Sequence, residues 1–511
     1  MQEEKITETV APNHKTWLQK YGYLLIFAAV SVLIALFAFG GSPFYPINEW
    51  EDPNCFLTVG RAVLDGKVMY RDIYEQKGPY VYFLHVIAAL ISDTSFLGAW
   101  FLEVINLFFV MLLVAKIVGL YGHKRATCVF CAVLIAFSAC FSYAMRTGDS
   151  VEEFVSPLYL WLLYITVKNI KADKGFSTCQ YLLIGVTAGI VFWSKFTLVG
   201  IYLGWFVYFI WRSVRRKEGK EIAKAILYIL GGVAIATLPC AIYFLATGAV
   251  EDWLTSYLYN NLFVYSGKES LFMTVWQLIK AILLTIVCNP HYTLPMIFGV
   301  IWFVMKRKGE ERWFLLWIIP AAAFALYVGG RGYRYYGLPL YVFAVFGYVA
   351  VAEWLQEKSM VWVRSVACIA SAVIAISSPI FFFLNGNQHY LFRVKEDIAQ
   401  YKVAAYIEEY GDDDPTLLTW GMLDSGFYLA AEQIPAFKHF NQLNIPLEEM
   451  YSEVQRYMDE GLADFVVYRI NEQNPDALSH ANYKEVLRLE EWLSGKKVTY
   501  ILYQLHENLN A

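Results

Sequence analysis

Residues 50–79 read WEDPNCFLTVGRAVLDGKVMYRDIYEQKGP, and how this stretch is read decides the fold. It gathers Glu51, Asp52, Asp65, Asp72 and Glu75 among Arg61, Lys67, Arg71 and Lys77. Each such charge would cost roughly 2.5–3.5 kcal/mol at the centre of a bilayer, so the stretch stays out of hydrocarbon. Yet Phe56, Leu57, Val59, Val63, Met69 and Tyr70 are threaded through it. Together these describe a short amphipathic structure held against a membrane face. It carries two carboxylate-bearing turns, at Asp52 and Asp72, and a cation, Lys77, shortly before Pro79. That is the composition of an active-site loop.

The chain on either side is apolar. Hydrophobic residues make up 58% of it and charged residues 17%, whereas soluble domains hold about 45–50% and about 25%. The expected class is a polytopic α-helical membrane protein. The run at 21–39 is about as long as the ~20 residues a spanning helix needs, and it reads as an uncleaved first helix. Further runs lie at 95–118, 126–144, 154–170, 180–194, 197–211, 222–246, 287–305, 312–328, 336–355 and 361–384, which predicts about 11 transmembrane helices. The run at 80–91 is too short to span and is assigned to the interface. Cys128 and Cys131 have CxxC spacing inside an apolar run and read as core packing.

The cations set an orientation. Lys116, Lys124 and Arg125 fall in one connection, Lys168, Lys171 and Lys174 in the next alternate one, and Arg212 to Lys224 in another. Lys306 to Arg312, then Lys358 and Arg364, continue the series. All become cytoplasmic if the N-terminus is cytoplasmic. An odd number of spans then makes the C-terminus extracytoplasmic. The chain divides into a membrane domain over 1–384, with its first outer loop at 41–94, and an α/β domain over 385–511. In the latter, 416–420, 463–469 and 496–505 read as strands, with helices near 395–410, 422–432, 446–460 and 480–493. It has no Gly-rich phosphate fingerprint.

Four outward features share one face: Asp52 with Asp72, Glu75 and Lys77; Arg146, Asp149, Glu152 and Glu153; Lys195 between two apolar runs; and Arg331 and Arg334 among Tyr333, Tyr335 and Tyr336. Ionisable groups at a membrane edge are functional candidates because of their cost. Tyr257, Tyr259 and Tyr265 are assigned to an interfacial aromatic belt rather than to a groove. The inner Arg-rich segment is a topology signal, with no nucleic acid implied.

DPNCFLTVG (52–60), YRDIYEQKGP (70–79), GDSVEEFVSP (148–157), GVTAGIVFWSK (185–195) and RGYRYYGLP (331–339) follow one another in this order. In that order they resemble the signatures of GT-C membrane glycosyltransferases. The similarity is to bacterial relatives of the dolichyl-phosphate-mannose–protein mannosyltransferases and to the lipid A aminoarabinose transferases. The resemblance implies a GT-C fold, a polyprenyl-phosphate-linked sugar donor, an extracytoplasmic hydroxyl acceptor and a catalytic Asp in the first outer loop. Asp52 takes the catalytic position, Glu152 that of a second acid, and Lys77 that of a cation before Gly-Pro. Asp72, Arg331, Lys195, Tyr335 and Tyr336 are expected to bind substrate. Glu75 and Gln76 stand where relatives often have Asp-His, and Tyr335 and Tyr336 where they often have His-Tyr, which bears on the donor sugar.

The residue types fit that chemistry independently. Sugar transfer passes through an oxocarbenium-like state, and a departing phosphate needs positive charge rather than a general acid. An Asp, with an ordinary pKa of about 3.9, is already a base at neutral pH. A divalent ion, Mg2+ or Mn2+, bridging Asp52 and Glu152 is the one cofactor expectation, since oxygen ligands suit either. A polysaccharide polymerase or ligase, and a flippase of lipid-linked sugars, are the rival readings. A transporter would carry its ionisable residues near the bilayer midplane rather than crowded on one face.

Overall fold

A computed structural model describes residues 17–265, 270–329, 331–357, 361–384, 389–470, 475–493 and 496–506. The N-terminal tail and the residues just after the domain boundary expected at 384–385 lie outside them. The first half runs through α1 (Trp17–Ala38), α2 (Glu51–Leu64), α3 (Pro79–Ile91), α4 (Leu97–Gly119), α5 (Arg125–Cys140), the single turn α6 (Val151–Phe154), α7 (Ser156–Lys171) and α8 (Thr178–Ser194). Each long helix is apolar enough to need burial in lipid or against a neighbour. The charged stretch folds as α2, whose inner face buries Cys55, Phe56, Leu57 and Val59, followed by an irregular segment leading into α3.

Among the described residues five helices are long and apolar enough to cross a membrane: Tyr21–Ala38, Leu97–Gly119, Phe196–Arg215, Gly219–Thr247 and Arg334–Glu357. A sixth span arises if Phe272–Cys288 and Pro290–Lys306, bent by 107°, are taken together. The expected count of 11 is therefore not reached by length and composition. α5, with 16 residues, reaches only about 24 Å, short of a hydrocarbon core of ~30 Å. The helix Leu271–Cys288 was missed because Gln277 and Lys280 interrupt its apolar pattern.

The cation-rich connections converge at one end. Arg216 pairs with Asp173 at 2.5 Å and with Glu310 at 2.7 Å. Arg212 meets Glu310 at 2.8 Å, Lys171 meets Glu311 at 3.9 Å, and Arg307 bonds Glu353. The loops bearing the candidate site meet at a separate place, described below.

After residue 389 a mixed sheet forms from β1 (Leu417–Trp420), β2 (Phe465–Ile470), β3 (Tyr483–Leu493) and β4 (Lys496–Leu505), in the order β1-β2-β4-β3. β1 and β2 are parallel, and β4 is antiparallel to both β2 and β3. The helix expected over 480–493 is thus strand β3. YKEVLRLEEWL is rich in helix formers, but its pairing with β4, from Tyr483–Leu505 to Leu493–Lys496, overrides that preference.

This C-terminal part sits directly on α2. The Thr58 hydroxyl donates to Asp424 at 2.6 Å. Arg61, 5% exposed, donates to the carbonyls of Tyr428 and Gln433 at 3.2 and 3.1 Å. Arg469 pairs with Glu51, and Asn441 Nδ2 lies 3.6 Å from Cys55 Sγ.

Candidate active site

Asp52 lies in the first turn of α2, where an unpaired helix end favours a carboxylate. The entry to that helix is fixed by side-chain amides. Asn48 Oδ1 accepts the Trp50 N–H at 3.0 Å and the Thr147 hydroxyl at 2.7 Å, and Asn54 Nδ2 donates to the carbonyls of Asn48 and Trp50. One residue, Asn48, thereby ties the segment leading into α2 to the 146–149 loop.

Lys77 approaches from the other end of the same loop. Its backbone N–H donates to Glu75 Oε2 at 2.8 Å and its carbonyl accepts the Tyr70 hydroxyl at 2.6 Å. Tyr82 donates its hydroxyl to Glu75. Gly78 then donates to the Ser194 carbonyl at 3.0 Å. A Cβ there would lie 2.0 Å from the Trp193 carbonyl oxygen, so only glycine lets this loop dock on the end of α8.

The result is a charged cluster. Lys77 Nζ is 3.7 Å from Asp52 Oδ2 and 3.7 Å from Glu75 Oε1, with its side chain only 12% exposed. Burial pulls the Lys77 ammonium down, but Asp52 and then Glu75 outweigh it and hold the group well above the usual lysine range. Lys195, which caps α8 in extended conformation, meets Glu152 Oε1 at 2.5 Å and stands 3.7 Å from the centre of the Tyr336 ring. Burial depresses the Lys195 ammonium; Glu152 opposes this and Lys77 adds to it.

A cavity of about 420 Å³ opens among these groups. Asp52, Glu75, Lys77, Lys195, Arg331, Tyr335 and Tyr336 line it. Of the expected site residues, Glu152 stands behind the wall, 1% exposed, as the partner of Lys195. Asp72 does not reach the cavity. It closes its own turn by accepting the Val68 N–H at 2.9 Å and pairs with Arg71 at 2.8 Å. Its charge is satisfied locally, apart from the residues that line the cavity.

Several lining residues escaped the sequence reading. The Trp50 ring lies 4.8 Å from that of Tyr335, tilted by 53°, and 4.7 Å from the Arg146 guanidinium. Asn261 Nδ2 donates to the Gln76 carbonyl at 2.8 Å. Tyr257 and Tyr265, assigned to the belt, line the cavity, and Tyr265 lies 3.8 Å from Arg331. Tyr259 is 56% exposed, as a belt residue would be. Leu423 and Asn444 come from the C-terminal part. Their only sequence signal is an apolar or amide residue in a loop, which is too common to single out.

The expected divalent ion would draw on Asp52, Glu152 and phosphate oxygens of the donor. Among the described residues no group of three or more His, Cys, Asp and Glu side chains could hold one. Glu152 is engaged by Lys195 and Asp52 by Lys77, so each carboxylate is met by an ammonium group.

Residues 76–244 match the dolichyl-phosphate-mannose-protein mannosyltransferase family. Over 94% of this chain and 98% of the other, the structure is similar to that of ArnT from Cupriavidus metallidurans bound to undecaprenyl phosphate, with a TM-score of 0.58 and 13% identity. The chain has the ArnT fold. The same enzyme in the apo state matches with a TM-score of 0.56 and 11% identity, over 94% of this chain and 98% of the other. The arabinofuranosyltransferase AftD from Mycobacteria shares 11% identity over 95% of this chain and 40% of the other, at a TM-score of 0.43. No curated protein sequence matches significantly. The GT-C resemblance drawn from the motifs is thus borne out by both the family match and the fold.

Proposed function

We propose that this protein is a membrane glycosyltransferase that moves a sugar from a polyprenyl-phosphate-linked donor to a hydroxyl acceptor, with inversion. One observation carries the reading: the Asp52 carboxylate and the Lys77 ammonium face each other at 3.7 Å in one cavity. In the proposed step the acceptor hydroxyl oxygen attacks the anomeric carbon from the face opposite the phosphate. The bond from that carbon to the phosphate oxygen breaks, and the electron pair leaves with the phosphate. The acceptor proton passes to Asp52, as base. Lys77, Lys195 and Arg331 balance the charge that grows on the departing oxygens in a water-poor site. Tyr335, Tyr336 and Trp50 offer flat faces to the sugar ring, and Glu152 keeps Lys195 aimed and charged. No metal is required by this scheme.

The fit with an extracytoplasmic site rests on the separation of the loops. The Arg- and Lys-rich connections gather at one end, and the cavity is built from the others. The N-terminus is then cytoplasmic, and the segment bearing Leu423 and Asn444 covers the site from outside. Mass spectrometry of envelope glycans from cells with and without the protein tests the reading. Loss of one sugar substituent supports it; identical glycans, with the protein shown to be present in the parent membranes, contradict it.

A further inference from the structure

The long apolar helix α4 carries a carboxylate, Glu103, that is 0% exposed. An ionisable side chain there is costly and calls for a reason. Its Oε1 accepts the Asp149 N–H at 2.6 Å, and Glu153 Oε2 accepts the same N–H at 2.9 Å. The loop being held is a strained one. Arg146 has φ 56°, Gly148 φ 78° and Asp149 φ 56°, all in the left-handed region that strains a residue other than glycine. At Gly148 the position of a Cβ is taken by Glu103 Oε1, 2.2 Å away. Glu103 therefore fills the inside of this turn.

Counting protons shows how the cluster is tolerated. His85 Nδ1 is 2.7 Å from the Val81 carbonyl, which can only accept, so Nδ1 bears a hydrogen. His85 Nε2 is 3.0 Å from Asp149 Oδ1, and one proton must lie in that contact too. The Glu103 and Glu153 carboxyls face one another within hydrogen-bonding reach. Glu103 Oε2 and Glu153 Oε1 are both buried and find no donor among the described residues. A proton on one carboxyl of the pair supplies the buried cluster with a donor it otherwise lacks.

We propose that Glu103 is a positioning residue: sharing a proton with Glu153, beside Asp149 and His85, it holds the loop that delivers Arg146 to the cavity and Glu152 to Lys195 behind its wall. Arg146 precedes the turn and lines the cavity over Trp50, while Glu152 follows it and holds Lys195. The groups facing the carboxyl pair are Asp149 from the loop, His85 from α3, Cys140 from α5 and Tyr341 from the 334–343 segment. Burial first, then the Asp149 charge, push the Glu153 carboxyl up to about 8. Below that pH the shared proton is present. Above it two buried carboxylates repel and the turn loosens.

The inference rests on the transferase reading for one of its two measurements only. In the first, turnover of polyprenyl-phosphate-linked sugar by native membranes is followed against pH. The parent should lose turnover on an alkaline limb near pH 8. Glu103→Gln, which can still accept from Asp149 and supplies its own hydrogen to Glu153, should keep neutral turnover and lose that limb. Glu103→Ala should cost about 10²-fold in turnover at unchanged donor KM, the scale of a misplaced catalytic group. In the second, infrared titration of purified protein should reveal a protonated carboxyl band that is absent in Glu103→Gln, whether or not any substrate is turned over. A parent without transfer activity but with that band would sink the function and spare the cluster. The inference is overturned by a Glu103→Gln protein whose band and pH profile equal the parent's, or by a folded Glu103→Ala protein with parental turnover.

Discussion

Lys77 Nζ sits 3.7 Å from Asp52 Oδ2, an ion pair closed by residues from the two ends of the 50–79 stretch. Both side chains are nearly buried, at 12% and 13% exposure, yet both line an open cavity. A pair kept only for stability would not need that cavity. In the proposed chemistry the cation turns to the donor phosphate and leaves the carboxylate to take a proton.

Lys77→Ala should lower turnover by about 10²–10³, the range for losing one positioned electrostatic stabiliser. Lys77→Arg should recover part of it, since charge survives while the compact geometry does not. Because Asp52 and Glu75 hold the Lys77 ammonium above the ordinary range, it stays charged throughout neutral and mildly alkaline pH. Initial rates against donor concentration, beside melting temperatures, check this. Normal turnover in a destabilised Lys77→Ala protein would assign the residue to the fold.

Glu152→Gln should alter the pH profile rather than abolish activity. Glu152 is the main group opposing the depression of the Lys195 ammonium by burial and by Lys77. Without it the lysine releases its proton at a lower pH, so the charged form is lost earlier as pH rises. In a Glu103→Gln background, where the limb of the carboxyl pair is gone, the alkaline fall that remains should therefore move to lower pH. An unmoved profile would show that the Lys195 charge does not assist departure of the phosphate.

Gly78→Ala should destabilise the protein by on the order of 1–3 kcal/mol, the usual scale of overpacking, because the new Cβ meets the Trp193 carbonyl. Turnover should fall as well, since Lys77 is the preceding residue. Thermal melts and donor turnover of the purified variant measure both.

Asp72→Asn should leave donor KM and turnover within twofold of the parent. Its pair with Arg71 is a surface one, at 33% and 46% exposure, where solvent and salt screen the attraction. A tenfold rise in donor KM would return Asp72 to the binding site.

Much of the site could be read from the chain because its key pair lies within one loop: Asp52 and Lys77 are joined by a stretch whose charges exclude it from lipid. Lys195, Arg331, Tyr335 and Tyr336 were legible for the same reason, as polar or aromatic breaks between apolar runs. Asp72 looked equivalent to Asp52 in composition. Only its bond to Val68 N and its pairing with Arg71 set them apart. Glu103 was hidden inside a continuous apolar run, where one acid does not alter the period. Leu423 and Asn444 reach the cavity from far along the chain, and β3 owes its form to β4, so neither had a local signature.

The central claim is that Asp52 is the base. Purified parent and Asp52→Asn proteins, matched for melting temperature, should be compared for release of polyprenyl phosphate from labelled polyprenyl-phosphate-linked hexose and pentose donors, with native membranes supplying the acceptor. The account predicts a loss of about 10²–10⁴-fold, the contribution of a positioned proton acceptor, at unchanged stability. Activity within tenfold of the parent would contradict it.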